Sequence, residues 1–120
     1  MKAKYLEGYW DDGDGKYPKP VEYPHKWGKS KFLAHLRAVQ KESDQKHYKG
    51  YSYCRCCDND RNGTSDFTLG SWRWPEGFEH YIERHKVRPS LAFEMFIERQ
   101  YEKIKKERGS NAKQINSNFL

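Results

Sequence analysis

Cys54 and Cys57 lie in Tyr53-Cys54-Arg55-Cys56-Cys57, and His80 and His85 in Glu79-His80-Tyr81-Ile82-Glu83-Arg84-His85. As a spacing this is C-x2-C, twenty-two residues, then H-x4-H. Two thiolates from a tight knuckle and two imidazoles from a helix are the donor set of a tetrahedral Zn²⁺ site. Four protein ligands leave no position for a reacting water, so such an ion stabilises a fold and does not catalyse. The competing reading is two unrelated pairs, reduced cysteines in a core and histidines on a surface.

The spacing sets conditions on the first reading. Residues five apart are separated by about 140° on an ideal helix, so both histidines reach one ion only if the last turn loosens. Asp58 and Asn59, after the second cysteine, are types that tolerate the left-handed conformation a knuckle often needs. The loop between the pairs exceeds the roughly 12 residues of a DNA-reading finger, which disfavours a three-base reader. Cys56 could replace Cys54 or Cys57 as ligand, or stay a free thiol beside the site. Three cysteines within four residues cannot all pair as disulfides. With no secretory signal in Met1-Lys2-Ala3-Lys4-Tyr5, that usage points to a reducing, cytoplasmic setting.

One hundred and twenty residues suit a single domain. Hydrophobic content is only 35% and the mean hydropathy −1.21, so any aliphatic core is small. Four Trp, nine Tyr and six Phe compensate through the large area each buries, and a metal staple suits a core of that size. No stretch approaches the roughly 18 apolar residues of a membrane span.

The net charge of +6 is uneven. Residues 25–57 hold eight basic side chains against Glu42 and Asp44, a local excess of +6 (8 − 2). Lys26, Lys29, Lys31, Lys46, Lys49 and Arg55, with Trp27, Tyr48 and Tyr51 among them, form a candidate nucleic-acid-binding face: cations for phosphates, rings for bases. The same pattern also fits a solvated face with its aromatics turned inward.

These residues need elements to hold them. Residues 1–28, rich in Gly, Pro and aromatics, read as an irregular arm lying against its own domain or a partner. Asp11-Asp12-Gly13-Asp14-Gly15 lacks the register of a calcium loop and reads as a turn. Ser30 can cap a helix to about Lys41 with Phe32, Leu33, Leu36 and Val39 inward and His35 beside them. Residues 46–53 read as a strand entering the knuckle, Asn62-Gly63 as a turn, and Ser65 to Trp72 as the returning strand. Pro75 is expected to open a helix carrying Phe78, Tyr81, Ile82 and His85 on one face. A further helix is expected to about Arg108, with Leu91, Phe93, Phe96, Ile97, Tyr101 and Ile104 buried. The expectation is thus an α+β domain over 29–108, a short antiparallel hairpin with a cysteine knuckle packed against about three helices. The arm precedes it and a flexible tail, 109–120, follows.

Tyr51-Ser52-Tyr53-Cys54-Arg55-Cys56-Cys57, Asn62-Gly63, Trp72-Arg73-Trp74-Pro75-Glu76-Gly77-Phe78-Glu79-His80-Tyr81 and His85-Lys86-Val87-Arg88-Pro89 together resemble a group of small, poorly characterised bacterial and phage proteins. That group carries C-R-x-C…N-G…W-P-E-G-x-x-H-Y-x-x-x-H-x-V. The resemblance spans roughly residues 50–95 and implies that Cys54, Cys57, His80 and His85 fill metal-type positions. It implies no activity. The chain departs from the pattern with Cys56 at the variable position and Asp58 where Gly is common.

The expected function is a non-catalytic, zinc-stapled module that binds nucleic acid or a nucleic-acid-associated machine. The alternative is a protein-interaction factor that modulates a host protein through the arm or last helix. A small metal-dependent nuclease ranks below both, because His25, His35 and His47 are scattered without a partnering motif. Neither a membrane nor a small-molecule substrate is indicated.

Overall fold

The computed structural model describes residues 3–11 and 13–118, with side chains to Arg108. Its elements are β1 (Tyr5–Leu6), α1 (Lys29–Lys41), β2 (Asp44–His47), β3 (Ser65–Leu69), β4 (Trp72–Pro75), α2 (Phe78–Arg84) and α3 (Leu91–Asn118). The fold is α+β: a four-stranded mixed sheet in the order β1-β4-β3-β2 with three helices. β2, β3 and β4 run antiparallel in turn, and β1 adds to β4 in parallel.

Several boundaries differ from the sequence expectation. The strand expected over 46–53 is Asp44–His47, and the knuckle sits instead in the long β2–β3 loop. The strand expected from Ser65 to Trp72 is two, because the chain reverses at Gly70, whose φ is +58°. Trp74 and Pro75 end β4 and do not open a helix; α2 starts at Phe78, after Gly77. Pro75 fits there because its missing N–H falls at the end of the strand. Ser30 lies inside α1, which begins after Gly28 without a side-chain cap. Leu91, expected buried, is 68% exposed, since it occupies the first turn of α3, outside the packed stripe. α3 itself continues through Asn118, past the expected end at Arg108 and into the expected tail. Phe119 and Leu120 lie outside the described residues.

The expected inward stripes otherwise match. Phe32, Leu33, Leu36 and Val39 of α1 are buried, with Phe78, Tyr81 and Ile82 of α2 and Phe93, Phe96 and Ile97 of α3. α1 lies along α3, the two meeting at Phe32–Phe93 and His35–Glu98. Trp74, fully buried, stands edge-on to Phe93 at 5.3 Å and donates its indole N–H to Gln40 Oε1 at 3.0 Å. Aromatic rings therefore make up the centre of the core, as the composition requires.

The N-terminal arm lies against its own domain. Tyr5 stacks near Trp72 at 5.0 Å, and Trp10 packs on Phe78 and Tyr81. Gly8 makes the passage possible: its φ is +81°, and a Cβ there would come within 2.6 Å of the Phe78 ring. Asp11 Oδ1 accepts the N–H groups of Gly13 and Gly15, a side-chain bond typical of the turn expected there; Asp12, within it, lies outside the described residues.

Candidate metal centre

Cys54, Cys57, His80 and His85 converge. One donor atom from each lies within 4.8 Å of every other, an arrangement that could hold a metal ion. Cys57 Sγ is 3.4 Å from His80 Nε2, which is 3.2 Å from His85 Nε2. Cys54 is buried, Cys57 exposed and the histidines half-buried, so the cluster sits at the rim of the core.

Local structure explains the convergence. At the knuckle, Cys54 N–H donates to Asn59 O at 2.8 Å and Cys54 Sγ accepts the N–H of Cys56 at 3.3 Å. Neither Asp58 nor Asn59 has positive φ; the turn closes through Asn59 Oδ1, which accepts Arg61 N–H at 3.1 Å. Cys56 is exposed and not one of the four convergent donors.

At the other pair, the loosening that the spacing demands is present. α2 ends at Arg84, and His85 leaves helical geometry at φ −123°, ψ 16°. Lys86 follows with φ 57°, the one non-glycine in the left-handed region among the described residues. The rotation brings the two imidazoles to 4.9 Å between centroids. Burial holds the His80 pKa below its ordinary value, with the nearby His85 and Arg84 adding to the fall, so the ring favours the neutral, metal-ligating form.

The candidate nucleic-acid residues separate into two places. Tyr48, Lys49, Tyr51 and Arg55 line one cavity of about 310 Å³, whose other wall is the arm. Lys46 lies next to it, its ammonium 5.3 Å from the Tyr48 ring centroid. Lys29 and Lys31 are in the first turn of α1, Lys26 and Trp27 just precede it, and all four are outside that wall. Trp27 is half-buried, against Phe32 and beneath the Arg88 guanidinium. Sequence reasoning did not single out Trp10 and Tyr81 for this cavity; only the long-range path of the arm brings them there.

The knuckle and the cavity share a residue. Arg55, between the two cysteines, donates its backbone N–H to the Tyr81 hydroxyl at 2.8 Å and a side-chain N–H to Tyr53 O at 2.6 Å. Tyr81 follows His80 on α2, and burial pushes its phenol up to about 12, where it stays protonated at neutral pH. Among the described residues, no helix is long and apolar enough to cross a membrane. Comparison with known protein families, with characterised proteins and with solved structures finds no match in any of the three.

Proposed function

We propose that this chain is a non-catalytic module held together by one structural Zn²⁺ on Cys54, Cys57, His80 and His85, and that it binds nucleic acid through its basic, aromatic surface. The observation that carries the metal reading is the spacing of the donors. A tetrahedral zinc with Zn–N of about 2.0–2.1 Å and Zn–S of about 2.3 Å has edges of about 3.4 Å between nitrogens and about 3.6 Å between nitrogen and sulfur. The separations of 3.2 Å and 3.4 Å lie close to those edges. Soft thiolates with imidazoles favour zinc over the hard, oxygen-seeking cations. The resemblance drawn from the sequence implies the same four ligands.

The nucleic-acid reading is supported by the grouping of Lys46, Lys49 and Arg55 with Tyr48 and Tyr51. Protein purified without chelator should carry about one equivalent of zinc; less than half an equivalent would count strongly against the site. Cys57→Ser or His80→Ala should abolish cooperative unfolding of the central region, because binding and folding are coupled in small sites. Cys56→Ser should leave metal content intact. Zinc-loaded protein should bind DNA or RNA oligomers in an anisotropy assay at ~50 mM salt, weakening steeply as salt rises. Absence of binding there would favour a protein partner instead.

A further inference from the structure

β2 is an outer strand of the sheet, and among the described residues only β3 pairs with it. All four of its residues are exposed. In an antiparallel ladder the residues of a strand turn their N–H and C=O groups alternately toward and away from the neighbour. Tyr48 donates its N–H to Thr64 O at 2.7 Å, in line with the register that sets Lys46 against Asp66 and Asp44 against Thr68. The even-numbered residues therefore bond to β3, and Gln45 and His47 present their backbone N–H and C=O groups outward. Such an edge is a template for another strand, and proteins that must stay single blunt it with charge or proline.

On β2 the charges have both signs. Asp44 and Lys46 stand two residues apart, on one face of the strand, and neither is in an ion pair among the described residues. The strand that fits this edge sets a cation opposite Asp44 and an anion opposite Lys46. β2 itself, turned antiparallel, is such a strand. With Gln45 of one copy opposite Gln45 of the other, Asp44 faces Lys46 twice, once on each side of the axis. Charge rejects the two neighbouring registers that also bond through Gln45 and His47. They set Lys46 against Lys46 or Asp44 against Asp44, and like charges directly opposite are destabilising. The other edge of the sheet has no equivalent, because β1 is two residues long.

We infer that this chain associates with a second copy of itself through β2, antiparallel about a twofold axis at Gln45, so that two sheets join into one. Each Gln45 N–H donates to the Gln45 carbonyl of the other copy, and the Asp44–Lys46 pairs flank them. Directly opposed side chains of an antiparallel pair share a face, so the Lys46 and Tyr48 surfaces of both copies lie on the same side of the joined sheet. The paired stretch is short. The contact falls below the roughly 1,200 Å² of a standard interface, which makes the dimer transient, with a dissociation constant on the order of 100 µM.

Sedimentation velocity of the full-length, zinc-loaded protein from about 5 to 500 µM, a range that brackets weak association, tests the pairing and should show a monomer–dimer equilibrium. Asp44→Lys and Lys46→Asp each set like charges opposite one another on both sides of the axis, and each alone should raise the dissociation constant more than roughly tenfold. Mixed in equal amounts, the two variants should recover a dimer of near wild-type affinity, since each supplies the charge the other needs. Gln45→Pro removes an N–H that points away from β3, so the fold should persist while the dimer is lost. Circular dichroism first establishes that each variant is folded. Wild-type protein that stays monomeric throughout overturns the pairing. So does a dimer unchanged in all three variants, which places the contact elsewhere, and so does a mixture of the two charge variants that remains monomeric. None of these readouts involves nucleic acid, so their failure leaves the proposed function standing.

Discussion

Glu7 shows how a single side chain ties the arm to the last helix. Its carboxylate accepts the Ser90 N–H at 2.7 Å and the Ser90 hydroxyl at 2.9 Å, while Ser90 Oγ accepts Phe93 N–H at the start of α3. Burial pushes the Glu7 pKa above its ordinary 4.5, outweighing the two Ser90 hydrogen bonds that lower it, and the Glu94 charge adds to the rise. The folded protein therefore holds this proton more tightly than the unfolded chain does. The stability it contributes is full below the ordinary value and is lost as pH climbs through the raised one. Glu7→Gln keeps an acceptor for Ser90 but cannot ionise, so its Tm relative to wild type should improve as pH rises from 4.5 to neutrality. A pH-independent difference between the two melting curves would exclude Glu7 as the titrating group. The four metal-type ligands were legible in the sequence because donor type and short spacing define them. Arg55, Trp10 and Glu7 were not, since their roles depend on neighbours far away in the chain.

At the scale of elements, the end of α2 sets the histidine geometry. Lys86 occupies a conformation at φ 57° that costs an L-residue roughly 1 kcal/mol and glycine almost nothing. Lys86→Gly should therefore raise stability by up to about 1 kcal/mol, a few degrees in Tm, with metal affinity retained. Lys86→Val, β-branched and strongly disfavoured there, should cost more than 1 kcal/mol, roughly, and weaken metal binding. Thermal melts with chelator competition would read both, and a valine variant with unchanged affinity would separate His85 placement from this turn. Helical stripes were readable because α1 and α3 keep their apolar spacing over several turns. The strands were harder. All four residues of β2 are exposed, so no alternation marks its edges, and β1 is two residues long, defined by its pairing with β4 and by nothing local. Pro75 suggested a helix start because local rules do not show that Trp74 and Arg73 are already paired in a sheet.

Over the whole molecule, the aromatic core is closed by α3. Phe93, Phe96 and Ile97 cover Trp72, Trp74 and Phe78, so a chain ending at Ser90 keeps all four candidate ligands and loses the lid on the core. Such a truncation should show no cooperative thermal transition and no near-ultraviolet circular dichroism of packed tryptophans, even with zinc present. A cooperative melt in the truncated chain would mean that the metal alone suffices to organise the sheet. The pairing of Tyr5 with Trp72 and the grip of Glu7 on Ser90 also give this fold an order in time. On a ribosome, the first strand emerges long before either partner, and it stays unsheltered while the chain between is being made. With synthesis at about 5–20 residues per second, His85 completes the donor set a few seconds before α3 is finished. During that interval an ion gripping the 54–85 loop would close the stretch that carries Trp72 and Trp74 until the last helix arrives.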